Sequence, residues 1–186
     1  MTNIIVSGDS FPVVEGIRQL LPLIPYETTQ EILAVFIFEK TWLTEAELSD
    51  VIRYPADRIL VFIPPELVNI MSLVALPSKI AVFPWKISLQ HIVLRLNIFL
   101  NARPVRRLHA TGDNMKPEKL SSREEKVISL CMRGVSVRSI SEIINVHPKT
   151  VSSHKRSAMR KLGMTTNQAL FQRGRILFMN DRSGVM

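Results

Sequence analysis

Lys119-Leu-Ser-Ser-Arg-Glu-Glu-Lys-Val-Ile-Ser-Leu-Cys-Met-Arg-Gly134, then Ser139-Ile-Ser-Glu-Ile-Ile144, then His147-Pro-Lys-Thr-Val-Ser-Ser-His-Lys-Arg-Ser-Ala-Met-Arg-Lys-Leu-Gly163 read as three short helices in succession. Ser121 or Ser122 caps the first, with Glu124 and Glu125 in its opening turn, where the helix dipole favours acids. Val127, Ile128 and Cys131 form its apolar stripe, and Gly134 supplies a left-handed stop. Ser136 opens the second helix, whose Ile140, Ile143 and Ile144 face inward. Asn145-Val146-His147 turns the chain, and Pro148 occupies a first-turn position that tolerates proline. The third helix runs Lys149–Leu162 and stops at Gly163; a fourth covers about 166–178.

The third helix is apolar on one stripe only. Val151, Ala158, Met159 and Leu162 point inward, which leaves Ser152, Ser153, Arg156 and Arg160 outward and Lys149, Lys155 and Lys161 on the flanks. A helix inserted in a major groove needs this division, with one side held in a small core and the other offering cations and small polar groups. Its first turns reach base edges and later cations reach the backbone. On that geometry Ser152, Ser153 and Arg156 are assigned to base readout. Lys149, Thr150, His154, Arg160 and Lys161 are assigned to phosphate positioning, and Lys155 is counted with them among the DNA-binding residues. His154 has no Cys or carboxylate partner at ligand spacing, so no metal role is expected.

Charge supports a polyanionic partner. The chain has 186 residues, 46% of them hydrophobic, and a net charge of +8. Residues 1–115 hold ten Lys/Arg and eleven Asp/Glu (10 − 11 = −1), whereas residues 116–186 hold fourteen and five (14 − 5 = +9). A near-neutral half followed by a strongly basic one points to double-stranded DNA as the partner of the second. Cys131 is the sole cysteine, which excludes an intramolecular disulfide and a Cys-rich metal site; among apolar neighbours it reads as a buried small hydrophobe. No stretch reaches the ~18–20 apolar residues that span a bilayer, and no signal-peptide pattern opens the chain. The expected location is cytoplasmic, with no membrane partner. No Ser/His/Asp, Cys/His or Walker arrangement is present, so no enzymatic activity, catalytic residue or cofactor is expected.

In the first hundred residues, β-branched runs alternate with helical patterns. Strands are expected at Asn3–Val6, Ile32–Phe38, Arg58–Ile63 and Lys79–Phe83, and helices near Val13–Leu21, Glu45–Arg53, Glu66–Val74 and Leu89–Asn101. Continuous apolar strands, each followed by a helix, predict a parallel sheet covered on both faces. Leu89, Ile92, Val93, Leu96, Phe99 and Leu100 give the last helix a wide stripe that serves a core face or a dimer face. Residues 103–117 lose periodicity and gather Pro, Gly and charge, as a linker does. The domains are therefore expected at 1–102 and 118–186, an α/β regulatory or dimerising domain and an all-α four-helix DNA-binding domain.

Residues 119–173 resemble the LuxR/FixJ-type helix-turn-helix family. The matching elements are Leu120-Ser-Ser-Arg-Glu124, Gly134, Ile140-Ser-Glu-Ile143, Lys149-Thr-Val-Ser-Ser-His154 and Arg160-Lys-Leu-Gly163, and they look closest to the Rcs capsule-regulator branch. The resemblance implies a bacterial transcription regulator that acts as a homodimer or with another LuxR-type regulator. It also makes the N-terminal half similar to a response-regulator receiver. Receivers hold Mg²⁺ on two acids after the first strand, and they carry a phospho-accepting Asp, a Thr/Ser and a Lys after later strands. Here Asp9 is retained, Gly8 stands where the other acid would sit, and Glu39 is a possible occupant of the acceptor position. Ile63-Pro64 replaces the hydroxyl position, and Pro84-Trp85-Lys86 disturbs the lysine position. Without paired carboxylates to hold a metal, aspartyl phosphorylation is not expected. The interval between Leu21 and Ile32 is too short for a further strand–helix pair, so four strands are expected. A ligand-gated, quorum-sensor-like regulator is the alternative; it needs a larger, aromatic-rich pocket domain.

Overall fold

The computed structural model describes residues 3–8, 11–23, 31–84, 86, 88–101 and 118–178. The expected linker and Asp9 lie outside the described residues. The N-terminal half is built as β1 (Asn3–Gly8), α1 (Phe11–Leu20), a 3-10 turn (Leu21–Leu23), β2 (Ile32–Ile37), α2 (Glu45–Arg53), β3 (Arg58–Ile63), α3 (Pro65–Leu73), β4 (Ile80–Pro84) and α4 (Leu89–Asn101). The four strands pair in parallel in the order β1-β2-β3-β4. β3 is buried along its whole length, as its unbroken Arg-Ile-Leu-Val-Phe-Ile run demands of a strand covered on both faces.

The side chains of the sheet alternate between two cores. Ala34, Ile59, Val61, Ile63, Ile80 and Val82 pack toward α2 and α3, whereas Leu33, Val35, Ile37, Leu60, Phe62, Ala81 and Phe83 pack toward α1 and α4. The chain therefore steps in one direction across the sheet while α1 lies on the opposite face from α2 and α3. The α1 connection consequently has the opposite hand to the other two, an uncommon arrangement, since ~98% of such units are right-handed. Its cause is the short interval after Leu21. The interval between Leu23 and Ile32 is too short for a further strand–helix pair.

One expectation is corrected at β1. Its sequence reads as a buried strand, yet Ile4 and Ile5 are 37% and 43% exposed. β1 is an edge strand, and an apolar run has the same appearance at an edge and in a centre. Within the sheet the buried Arg58 ties β3 to its surroundings. It pairs with Glu31 at 2.8 Å, donates to the Phe99 carbonyl near the end of α4, and stacks its guanidinium over the Phe99 ring. α2 opens with a capping box in which the Thr44 hydroxyl accepts from the Glu47 amide, and the Thr44 backbone N–H holds the Glu47 carboxyl below its ordinary value.

The C-terminal half comprises α5 (Ser122–Met132), α6 (Val137–Ile143), α7 (Pro148–Lys161), α8 (Asn167–Arg173) and a 3-10 helix (Gly174–Phe178). Three of its helices stop in the same way. Gly134, Asn145 and Gly163 adopt φ of +79°, +52° and +68°, and the next residue donates back to the last turn: Val135 to Leu130, Val146 to Ser141, Met164 to Met159. This left-handed stop suits glycine, and asparagine tolerates it. The two glycines signal their stops directly; Asn145 supplies the third.

The two halves share apolar surface. The 3-10 helix packs against α2 and α3, so that the α2/α3 core continues into Val127, Ile140, Val151, Leu170 and Ile176. Among the described residues, no helix is long and apolar enough to cross a membrane.

Candidate nucleic-acid interface

α7 is positioned by its buried stripe. Val151, Ala158 and Leu162 are fully buried and Met159 nearly so, packing against α5 and α6. At 100° per residue, a stripe at those positions leaves Lys149, Ser153, Arg156 and Arg160 in a single row on the opposite side. All four are exposed. Ser152, His154 and Lys155 are half-buried on the flanks, and Thr150 is exposed. The helix is launched by His147, whose Nδ1 accepts from the Lys149 amide, with Pro148 as its first residue. Arg156 folds back to donate to the Ser152 carbonyl at 3.4 Å. Arg160 meets Glu118 at 3.3 Å across an exposed surface, a pair too solvated to compete with a stronger anion.

Lys161 behaves differently from its expected phosphate role. Its Nζ donates to Glu124 Oε2 at 2.8 Å and to the Lys119 carbonyl at 3.1 Å. The same carboxylate accepts from the Ser157 hydroxyl at 2.7 Å and from the Ser121 amide at 2.7 Å, while the Ser121 hydroxyl accepts from the Glu124 amide. Ser157 and Lys161 stand four residues apart on one flank of α7, so a single buried carboxylate on α5 grips the reading helix at two points. Burial opposes the charge of Glu124. Donors from Lys161, Ser121 and Ser157 outweigh it and hold the carboxyl at about 2, well below its ordinary value of 4.5. The Ser121–Glu124 spacing advertised a cap; nothing local announced that Lys161 and Ser157 would close on it.

Cys131 is buried, and burial pushes its thiol up from the ordinary range, consistent with an inert packing residue. Among the described residues no group of three or more His, Cys, Asp or Glu is placed to hold a metal ion. At the receiver-like end of the sheet Glu39 is exposed beyond β2. Gly8 is itself exposed, yet a Cβ built on it would lie 2.7 Å from Ile37 Cβ and 3.2 Å from Val14 Cγ2. The second acid of a receiver is thus excluded sterically as well as absent from the sequence.

A family model described as bacterial regulatory proteins, luxR family, matches residues 118–173. The C-terminal domain belongs to the luxR family. The chain is similar in fold to the structure of two RcsB dimers bound to two parallel DNAs, at 21% identity over 100% of this chain and 99% of that one, TM-score 0.55. It is likewise similar to RcsB from Salmonella enterica serovar Typhimurium bound to promoter rprA in the presence of phosphomimetic BeF3-, at 20% identity over 97% and 100%, TM-score 0.56. The DNA-binding domain of the Erwinia amylovora RcsB protein is 36% identical over 34% of this chain and 74% of its own length, TM-score 0.31. Among curated proteins none matches. These full-length likenesses extend across both halves, as a receiver-like domain followed by a luxR-family domain requires.

Proposed function

We propose that this chain is a bacterial, cytoplasmic, sequence-specific DNA-binding transcription regulator that works as a dimer and without phosphorylation. Its division is the one read from sequence: a dimerising domain at 1–102, a linker at 103–117 and a DNA-binding domain at 118–186. The observation that carries the reading is the exposed row Lys149, Ser153, Arg156 and Arg160 on a helix anchored by a fully buried stripe. Ser152, Ser153 and Arg156 read base edges, while Lys149, Thr150, His154, Lys155 and Arg160 meet phosphates. Lys161 acts on DNA chiefly by holding α7 in place.

Dimerisation is supported by α4, where Leu89, Val93, Leu94 and Ile98 are exposed, and by the apolar furrow between α1 and α4 lined by Val13, Ile17, Leu20, Leu89 and Ile92. Of the stripe expected from sequence, Ile92, Leu96, Phe99 and Leu100 turn inward to the core and leave Leu89 and Val93 outside. Leu170, Ile176 and Leu177 are packed into the cluster shared with α2 and α3. The partner is a second copy or another luxR-family regulator.

Selection of binding sites from random duplexes with the full chain tests this. Arg156→Ala should flatten base preference at one position per half-site, with a loss of about 1–3 kcal/mol. Arg160→Ala should weaken all sequences alike and reduce the salt slope by ~0.9 for each phosphate no longer neutralised. Equal losses on selected and random DNA for both variants would refute the division of roles.

A further inference from the structure

A groove of about 1080 Å³ runs along the junction of the two halves. One wall comes from the segment entering α2, with Trp42, Leu43 and Thr44; the other comes from α5, α8 and the 3-10 helix, with Met132, Phe171 and Phe178. Trp42 and Phe171 are 37% and 44% exposed, the two large aromatic surfaces left open at this junction. Arg133 and Arg175 stand on the second wall, both exposed, and neither guanidinium has a carboxylate or hydrogen-bond partner among the described residues. Trp42 already receives the Lys40 ammonium over its ring at 5.3 Å, an ammonium that is paired with Glu47 at 3.7 Å. The one acid on the lining, Glu45, belongs to the α2 side.

We propose that this groove binds a small amphipathic anion, with its aromatic or short acyl body between Trp42 and Phe171 and its carboxylate or sulfonate on Arg133 and Arg175. The volume is that of a small-molecule site, and such sites combine apolar walls with a few convergent polar groups. Two unpaired guanidiniums select the sign of the ligand, since planar forked donors match an oxyanion. Because the walls come from different halves, the ligand binds only while the 3-10 helix is docked on α2 and α3. It therefore stabilises that docked arrangement at the expense of any separated one. In the docked arrangement Leu170 and Ile176 are buried, so the ligand opposes any use of that surface in assembly on DNA. This last consequence rests on the proposed function; the binding itself does not.

The test is calorimetric titration of the full chain, without DNA, using 1-anilinonaphthalene-8-sulfonate as the probe. One site per chain is expected, weakened at least about tenfold, or ~1.4 kcal/mol, by Arg133→Ala/Arg175→Ala and comparably by Trp42→Ala. The uncharged N-phenyl-1-naphthylamine should bind more weakly than the sulfonate. The arginine pair is exposed, so its removal leaves the fold intact and decides the matter even if Trp42→Ala unfolds. Wild-type affinity in the arginine variant, or equal affinity for the neutral probe, overturns the site. In a DNA titration the probe should shift the binding midpoint to higher protein concentration. A probe that binds as mapped yet leaves the midpoint unmoved overturns the coupling to assembly.

Discussion

Neutralising Glu124 should do more damage than its single position on α5 suggests. Its carboxyl is held at about 2 against an ordinary 4.5, and that difference is worth about 3 kcal/mol of folding stability at neutral pH. The sign follows from the direction of the shift. A depressed carboxyl contributes fully above pH 4.5 and loses its contribution as pH falls toward 2, so roughly 2 kcal/mol of it should be gone by pH 3. Glu124→Gln keeps the volume and an acceptor for Ser157 but removes the charge opposite the half-buried Lys161. Urea unfolding of both proteins at pH 7 and pH 3 checks this. The variant should be less stable by about 2–3 kcal/mol at pH 7, and the gap should shrink by roughly 2 kcal/mol at pH 3. Other carboxyls titrate equally in both proteins and cancel. A gap unchanged between the two pH values would show that the carboxylate is not held by charge, and the clasp on α7 would fall with it.

Three further outcomes concern the N-terminal half. Gly8→Asp restores the acidic pair on paper, yet its Cβ meets Ile37 at 2.7 Å; it should cost about 1–3 kcal/mol. Acetyl phosphate with Mg²⁺ should add no phosphoryl mass to either protein, and a single phosphoryl adduct would contradict the steric reading. Leu94→Glu with Ile98→Glu changes exposed positions, so stability should move by no more than about 0.5 kcal/mol while light scattering reports a monomer; a persistent dimer would move the interface elsewhere. Arg58→Ala removes the ion pair to Glu31 and the donor to the Phe99 carbonyl and should lower stability by about 3 kcal/mol, with a loss below about 1 kcal/mol in urea melts refuting its role as the tie between β3 and α4.

The legible parts of this protein are those written in local pattern. Continuous apolar runs mark all four strands, and Ser121, Gly134, Pro148 and Gly163 bound the helices of the DNA-binding half because caps and left-handed stops are chemistry of one or two residues. The inward stripe of α7 is equally plain. Features that depend on what lies across from a residue are hidden. Ile4 and Ile5 look like core in the sequence, and only the strand order places them at an edge. On α4, spacing puts Leu89 and Val93 in one stripe with Leu96 and Phe99, and only the packing leaves the first two outside. Lys161 carries the same charge as Arg160 one residue away, and only the arrival of Glu124 separates a half-buried helix brace from an exposed cation.

The order in which the strands can be completed has a consequence for how the chain is made. β2, β3 and β4 are joined by α2 and α3 in connections of one hand. β1 precedes them, joined by a connection of the opposite hand, and pairs with β2 alone. During synthesis β1 is therefore available before any partner exists, and it holds a row of unpaired backbone groups beside Ile4 and Ile5. In the finished fold the same strand is an edge that leaves Ile4 and Ile5 exposed. A strand in that position is where one nascent chain can pair with another. The early pairing of β2 with β1 covers that edge, a demand set by topology rather than by the strength of the core.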